Sequence, residues 1–335
     1  MLPNWYGETL FATPFLKALW AHQPDAFIAT LGWPSCREIL LGNPRINAIL
    51  DYDERGVHRG LRGRWRLIGM LRAQHFDVAF ILRKSLSRSL MLAFAGIPTR
   101  IGFANPKSGW LLTHRVPPAD RLQHKASSYL SLLQAIGGSA RVDTYEYAVS
   151  DAERECVQAQ MYHLQLGDGK PIIVLHPGAN WPHKRWPPER FALLGDQLAA
   201  QHGAHLLVTG GPDDVVLAES IQRQMRHPVT VLAGQTTLRQ LAAWLELAHV
   251  VISNDTGVLH LAAALGRPVI ALYGPTSPVL TGPLGDPSRI VVLHHPTCCP
   301  EIPCYQPDHP QYPGMNAIMV DEVYGAATRL LEAHV

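Results

Sequence analysis

Apolar positions in the second half of the chain fall into short β-branched runs, separated by stretches whose apolar residues repeat at helical period. The runs at 172–175, 205–208, 229–232, 250–253 and 269–273 predict strands, and 189–202, 214–225, 237–248 and 257–265 predict the helices between them. Such alternation predicts a parallel sheet with right-handed crossovers, whose ligands bind beyond the carboxyl ends of the strands. The first half alternates too. A helix runs through Phe11, Phe15, Ala18, Leu19 and His22, and strands are predicted at 26–31, 46–51 and 77–82, with a helix over 60–75. Gly137-Gly138-Ser139 and the polar run to about Gly169 punctuate the halves, which predicts domains at 1–150 and 151–320 and a final amphipathic helix in 321–335.

At 47% apolar and 17% charged residues, the 335-residue chain can fill two cores and is too weakly charged for disorder. Its formal net charge of +2 gives no sign of a nucleic-acid partner. No secretory signal or run of about 18 uninterrupted apolar residues occurs, which predicts a soluble cytoplasmic protein. The five cysteines are odd in number and scattered, unlike a disulfide framework. Cys298, Cys299 and Cys304, near His294, His295 and His309, are too irregular for a zinc site, so no metal is expected. The phosphate loop ending in Lys-Ser/Thr, Gly-x-Gly-x-x-Gly and His-Glu-x-x-His are all missing, which argues against a triphosphatase, a dehydrogenase and a zinc protease.

Two loops carry the candidate chemistry. Ser253, Asn254, Asp255 and Thr256 suit a helix N-terminus, because their side chains accept from amides the helix leaves unpaired. The same amides, with the positive end of the helix dipole, suit an anion. A capped helix and a binding loop are equally good readings of this segment alone. The second loop, 176–186, places Lys184 and Arg185 between Trp181 and Trp186, ahead of a helix opened by Pro187-Pro188. A lysine there is ordinarily solvated; beside a second helix N-terminus it becomes a diphosphate clamp.

The strings HPGANWPHKRWPPERF and SNDTGVLHLAAALGRPVIALYGPTSP resemble, in order and roughly in spacing, the carboxyl half of the family 9 glycosyltransferases. The best-known members are the ADP-heptose:lipopolysaccharide heptosyltransferases, and the resemblance covers nearly the whole chain. It implies an α/β GT-B fold of two Rossmann-like domains with parallel sheets facing a central cleft, and a last helix packing back across the junction. It also implies inverting, metal-independent transfer of a sugar, most simply heptose from ADP-heptose. The acceptor would be a lipid-linked core oligosaccharide at the inner leaflet, with peripheral membrane contact and no cofactor.

The resemblance assigns donor binding to Asn180, Lys184, Asp255, Thr256, Gly257 and His260. Lys184 and the helix starting at Thr256-Gly257 would neutralise the diphosphate, Asp255 would hold sugar hydroxyls, and His260 would brace the loop or reach the phosphates. Asp213 and Asp214 follow a glycine turn and read equally well as ribose ligands or as helix N-terminal acids.

Glu8 stands where the family's Gly-Asp turn carries its proposed general base, and its stem is one methylene longer. It reads as that base or as a first-turn acid complementing a helix dipole. Only Met1 and Leu2 precede the turn, where family members have a strand, so the expectation is a slot in the first sheet and a natural start upstream. Arg83, Lys84 and Arg88 follow the strand at 77–82 and are expected to meet an anionic acceptor. Arg59, Arg62, Arg64, Arg66 and Arg72 interleave with apolar residues, as a solvated helix flank or as a helix lying on an anionic leaflet. Transfer of another sugar to another surface glycan shares these motifs, and Glu8 with the short amino end keeps a non-catalytic nucleotide-sugar binder open.

Overall fold

The structure, a computed structural model, describes residues 1–118, 122–296 and 313–333. It divides into two compact units, Met1–Ala148 and Val149–Val335. The first contains α1 (Tyr6–His22), β1 (Ala29–Gly32), α2 (Pro34–Leu40), β2 (Ala48–Asp51), α3 (Gly60–Ala73), β3 (Val78–Ile81), α4 (Leu86–Phe94), β4 (Thr99–Phe103), β5 (His114–Val116) and α5 (Lys125–Ser131). The second contains α6 (Asp151–His163), β6 (Ile172–His176), α7 (Pro188–His202), β7 (His205–Val208), α8 (Val215–Gln224), β8 (Val229–Val231), α9 (Leu238–Leu247), β9 (Val250–Asn254), α10 (Gly257–Ala264), β10 (Val269–Tyr273), α11 (Pro278–Thr281), β11 (Ile290–His294), α12 (Pro313–Ala317) and α13 (Val320–Ala333).

The second unit holds one parallel sheet in the order β11-β10-β9-β6-β7-β8. Strands β6, β9 and β10 are buried along their whole length, which is why they read as continuous apolar runs. The chain moves outward from β6 to β8, then returns to β6 and continues outward on the other side. That reversal falls between β6 and β9, where Leu175 lies opposite Ile252 and His176 opposite Ser253. A doubly wound sheet binds its ligand beyond the strand ends at this point.

Two elements of this unit differ from expectation. β11 extends the sheet by one edge strand. The polar run read as punctuation contains α6, begun by a capping box between Ser150 and Glu153 and tied to α9 by Arg154 on Glu246 at 2.8 Å and Trp244 on Gln160 at 3.0 Å. The last helix buries Val323, Ala326, Ala327, Leu330 and Leu331 in the core of the second unit.

In the first unit β1 pairs with β2, while β3, β4 and β5 form a second parallel sheet. The first two residues join them in strand-like fashion. Met1 donates to the Phe80 carbonyl at 2.8 Å and accepts from the Leu82 amide at 3.2 Å, while the Leu2 amide donates to the Leu31 carbonyl at 2.8 Å. Beyond this bridge lies a cavity of about 820 Å³, with Phe15, Leu31, Leu50, Phe80 and Leu92 in its walls.

In a chain that begins at Met1, burial, and secondarily the charge of Arg88, push the Met1 ammonium from 8.0 down to about 5. The unfolded chain binds this proton below pH 8, the folded chain only near pH 5, so stability falls as pH drops from 8 to 5. A three-unit shift corresponds to about 4 kcal/mol. Urea denaturation of a chain beginning at Met1 should show this loss, and acetylation of the α-amine should flatten it.

Candidate functional site

The donor-side residues gather at the reversal of the second sheet. Asn254, at the end of β9, is buried and staples the neighbouring loop: its amide donates to the Pro177 carbonyl at 2.8 Å, and its oxygen accepts from the Trp186 amide at 3.1 Å. Lys184, in a turn of 3₁₀ helix over Pro182–Lys184, is thereby held against the next residue. Its ammonium donates to the buried Asp255 carboxylate at 2.6 Å.

Asp255 has two further neighbours. Thr276 donates to it at 2.7 Å, and the buried His260 imidazole lies 3.7 Å away. Burial would push the Asp255 carboxyl up; the His260 imidazole and the Lys184 ammonium outweigh that and hold it well below the usual carboxylate range.

Of the two readings of residues 253–256, side-chain capping does not occur. Thr256 occupies the N-cap of α10, but no side chain caps the helix, because Asn254 and Asp255 are committed to the opposite loop. No acid stands in the first turn of α10 either. Its first amides have no acceptor within the helix, so they remain donors for an anion one residue from the Lys184–Asp255 pair.

The neighbouring candidates divide. Asn180 and Asp213 are exposed on the same group of loops. Asp214 accepts from the Gly211 amide at 3.1 Å and lies 3.6 Å from Arg185, whose guanidinium also binds the Ala179 carbonyl. Asp214 therefore ties its own turn to the loop that carries Arg185. His176 is buried against the Thr209 hydroxyl at 3.0 Å. Burial, only partly opposed by the charge of Asp214, lowers it to about 4, so it is neutral at pH 7.

The first unit carries a separate pocket of about 480 Å³. Trp5, Glu8, Arg83, Lys84, Lys125 and Tyr129 are among its lining residues. Glu8 sits in the first turn of α1 and receives a bond from Lys125 at 2.9 Å. Tyr129 is buried beside it, and burial with the Glu8 charge pushes its phenol upward, so it stays protonated.

Arg88 is placed differently from its two companions. It is buried on the inner face of α4, bonds the Leu2 carbonyl at 2.7 Å and the Asn4 side chain, and lies over the Tyr52 ring. These bonds tie it to the turn that precedes Glu8, and it is not among the residues lining the pocket.

Lys125 and Thr276 were not singled out from sequence. Thr276 lies in the Gly-Pro-Thr-Ser-Pro string after β10, the strand beside β9, and that adjacency was its available signal. Among the described residues no three His, Cys, Asp or Glu side chains converge as a metal would require. Cys298, Cys299, Cys304 and His309 lie outside the described residues.

Two parallel α/β units, one with an anion-ready helix start at its sheet reversal, define the GT-B class of glycosyltransferase folds. The family model for glycosyltransferase family 9 (heptosyltransferase) matches residues 64–307, and the chain belongs to this family of enzymes. It is 28% identical to lipopolysaccharide heptosyltransferase 2 of Salmonella typhimurium over 312 residues, 87% of this chain and 86% of that one. Its fold matches the ADP-heptose lipopolysaccharide heptosyltransferase II of E. coli with a TM-score of 0.81 and 26% identity, over 99% of this chain and 97% of that one. A family 9 glycosyltransferase of Veillonella parvula superposes with a TM-score of 0.88 at 23% identity, over 99% of this chain and 96% of the other.

Proposed function

We propose that this enzyme transfers heptose from ADP-heptose to a lipid-linked lipopolysaccharide core, without a metal and with inversion at the anomeric carbon. The observation that carries this reading is the Lys184 ammonium, 2.6 Å from Asp255 and one residue from the uncapped start of α10. An ammonium and free helix amides in one place suit a leaving diphosphate, whose charge grows as the sugar–phosphate bond breaks.

In this reading Lys184 turns from Asp255 to the diphosphate when donor binds. Asp255, still held by Thr276 and His260, accepts from sugar hydroxyls. Glu8 takes the proton of the attacking acceptor hydroxyl, and the new C–O bond forms on the face opposite the departing ADP. Arg83, Lys84 and Lys125 line the Glu8 pocket and suit an anionic acceptor. The acceptor's lipid anchor places the reaction at the inner face of the cytoplasmic membrane. Among the described residues no helix is long and apolar enough to cross a membrane.

The test is nucleoside-diphosphate release from a panel of nucleotide sugars, with and without lipid A-core acceptor. ADP release from ADP-heptose that requires acceptor is expected. A preference for another donor, or release independent of acceptor, would contradict the proposal.

A further inference from the structure

Charge in this chain is segregated far more than its net +2 suggests. Residues 56–118 carry eleven arginines and lysines against one acid, Asp77, whereas the rest carries eighteen against twenty-six. Much of that basic charge lies on α3, whose buried side is supplied by Gly63, Leu67, Ile68 and Leu71. Its outer side presents Leu61 at 74% exposure and Trp65, one helical turn on, at 56%. Phe94, at the end of α4 and 53% exposed, meets Trp65 with ring centroids 5.7 Å apart. Arg72 bonds the Phe94 carbonyl at 2.6 Å and fixes the two helices at this point. Arg59, Arg62 and Arg66 are exposed on the same helix and its cap.

The geometry points to this surface as the one that docks on an anionic phospholipid bilayer. The core does not need these apolar side chains, since α3 buries a different face. Three large apolar groups, among arginines and with no carboxylate in α3 or α4, match what a bilayer interface accepts. Leucine and aromatic rings enter the headgroup–acyl boundary, while guanidinium groups stay at the phosphates. A nucleic acid would use the arginines and rings but would gain nothing from Leu61. The surface consists of residues other than those assigned to transfer, so its failure and that of the proposed reaction are separable.

The experiment is co-sedimentation of the full chain, without substrate, with vesicles of 30% phosphatidylglycerol in phosphatidylcholine and with pure phosphatidylcholine vesicles. Binding is expected to the anionic vesicles, weakening with salt and at least tenfold weaker to the neutral ones. Arg62→Gln with Arg66→Gln should weaken it about 25-fold, at about fivefold per cation. Leu61→Ser with Trp65→Ser should weaken it at least tenfold, and Trp65→Phe should bind within about twofold of the parent. Thermal midpoints and turnover on a de-acylated, soluble acceptor should be unchanged in all of them. No binding to anionic vesicles, equal binding by parent and variants, or tighter binding to a single-stranded oligonucleotide than to vesicles would overturn the inference.

Discussion

Replacing Lys184 by alanine is expected to lower turnover about 100- to 1,000-fold while the protein remains folded. The ammonium has two tasks, and the variant separates them. In the unliganded protein it balances Asp255, whose carboxylate is almost wholly buried. Removing one partner of a fully buried ion pair costs about 3–5 kcal/mol. Here the loss should be smaller, about 1–3 kcal/mol, because Thr276 still donates to Asp255, His260 stays close, and Lys184 itself is partly open to water. The second task is the larger: positive charge where the diphosphate departs. Paired loss of both charges, Lys184→Met with Asp255→Asn, should recover stability without recovering turnover. Acceptor-dependent ADP release and a urea denaturation curve for each variant measure the two effects. Near-normal turnover in Lys184→Ala would remove it from the reaction.

Glu8→Gln should reduce kcat about 100- to 10,000-fold with little change in KM for the donor, the signature of a lost general base. Glutamine keeps the shape and loses the proton acceptor. The interaction with Lys125 at 2.9 Å explains how the longer side chain is positioned. Its carboxylate is held from α5, so the additional methylene need not leave it loose. Glu8→Asp, which restores the family's shorter acid, should lose part of that interaction and fall at least tenfold, since errors near 1 Å cost about a hundredfold. Lys125→Gln should lower kcat in the same direction, by less than Glu8→Gln. Stopped ADP release under donor saturation measures all three, and an unaffected Glu8→Gln would leave Glu8 as a first-turn acid of α1 and nothing more.

The second unit was readable from sequence because its central strands are buried on both faces and therefore unbroken in apolar residues. Its edge strand β11 is only partly buried, yet its run over 290–293 is as apolar as those of the central strands and was equally legible. Helix α6 escaped because Val157 is its one buried position; the Ser150-x-x-Glu153 capping box was the available sign. Lys184 and Asp255 were legible as candidates, but their 2.6 Å contact joins residues 71 apart. The Glu8–Lys125 pair spans 117 residues, and no local pattern announces such a pair. Asn254 read as a helix cap because the sequence cannot show that another loop competes for its amide. Arg88 read as an acceptor ligand because it follows a strand, yet it shares the buried face of α4 with Met91 and Leu92, three and four positions on.

The proposed reaction depends on one place where an ammonium and the first amides of α10 meet a departing diphosphate. A crystal structure of the enzyme with ADP tests this most directly. It should show the β-phosphate within hydrogen-bond distance of the Lys184 Nζ and of an amide at Gly257 or Val258, with the Lys184–Asp255 distance increased from 2.6 Å. ADP bound elsewhere, or a β-phosphate contacting neither group, would contradict it.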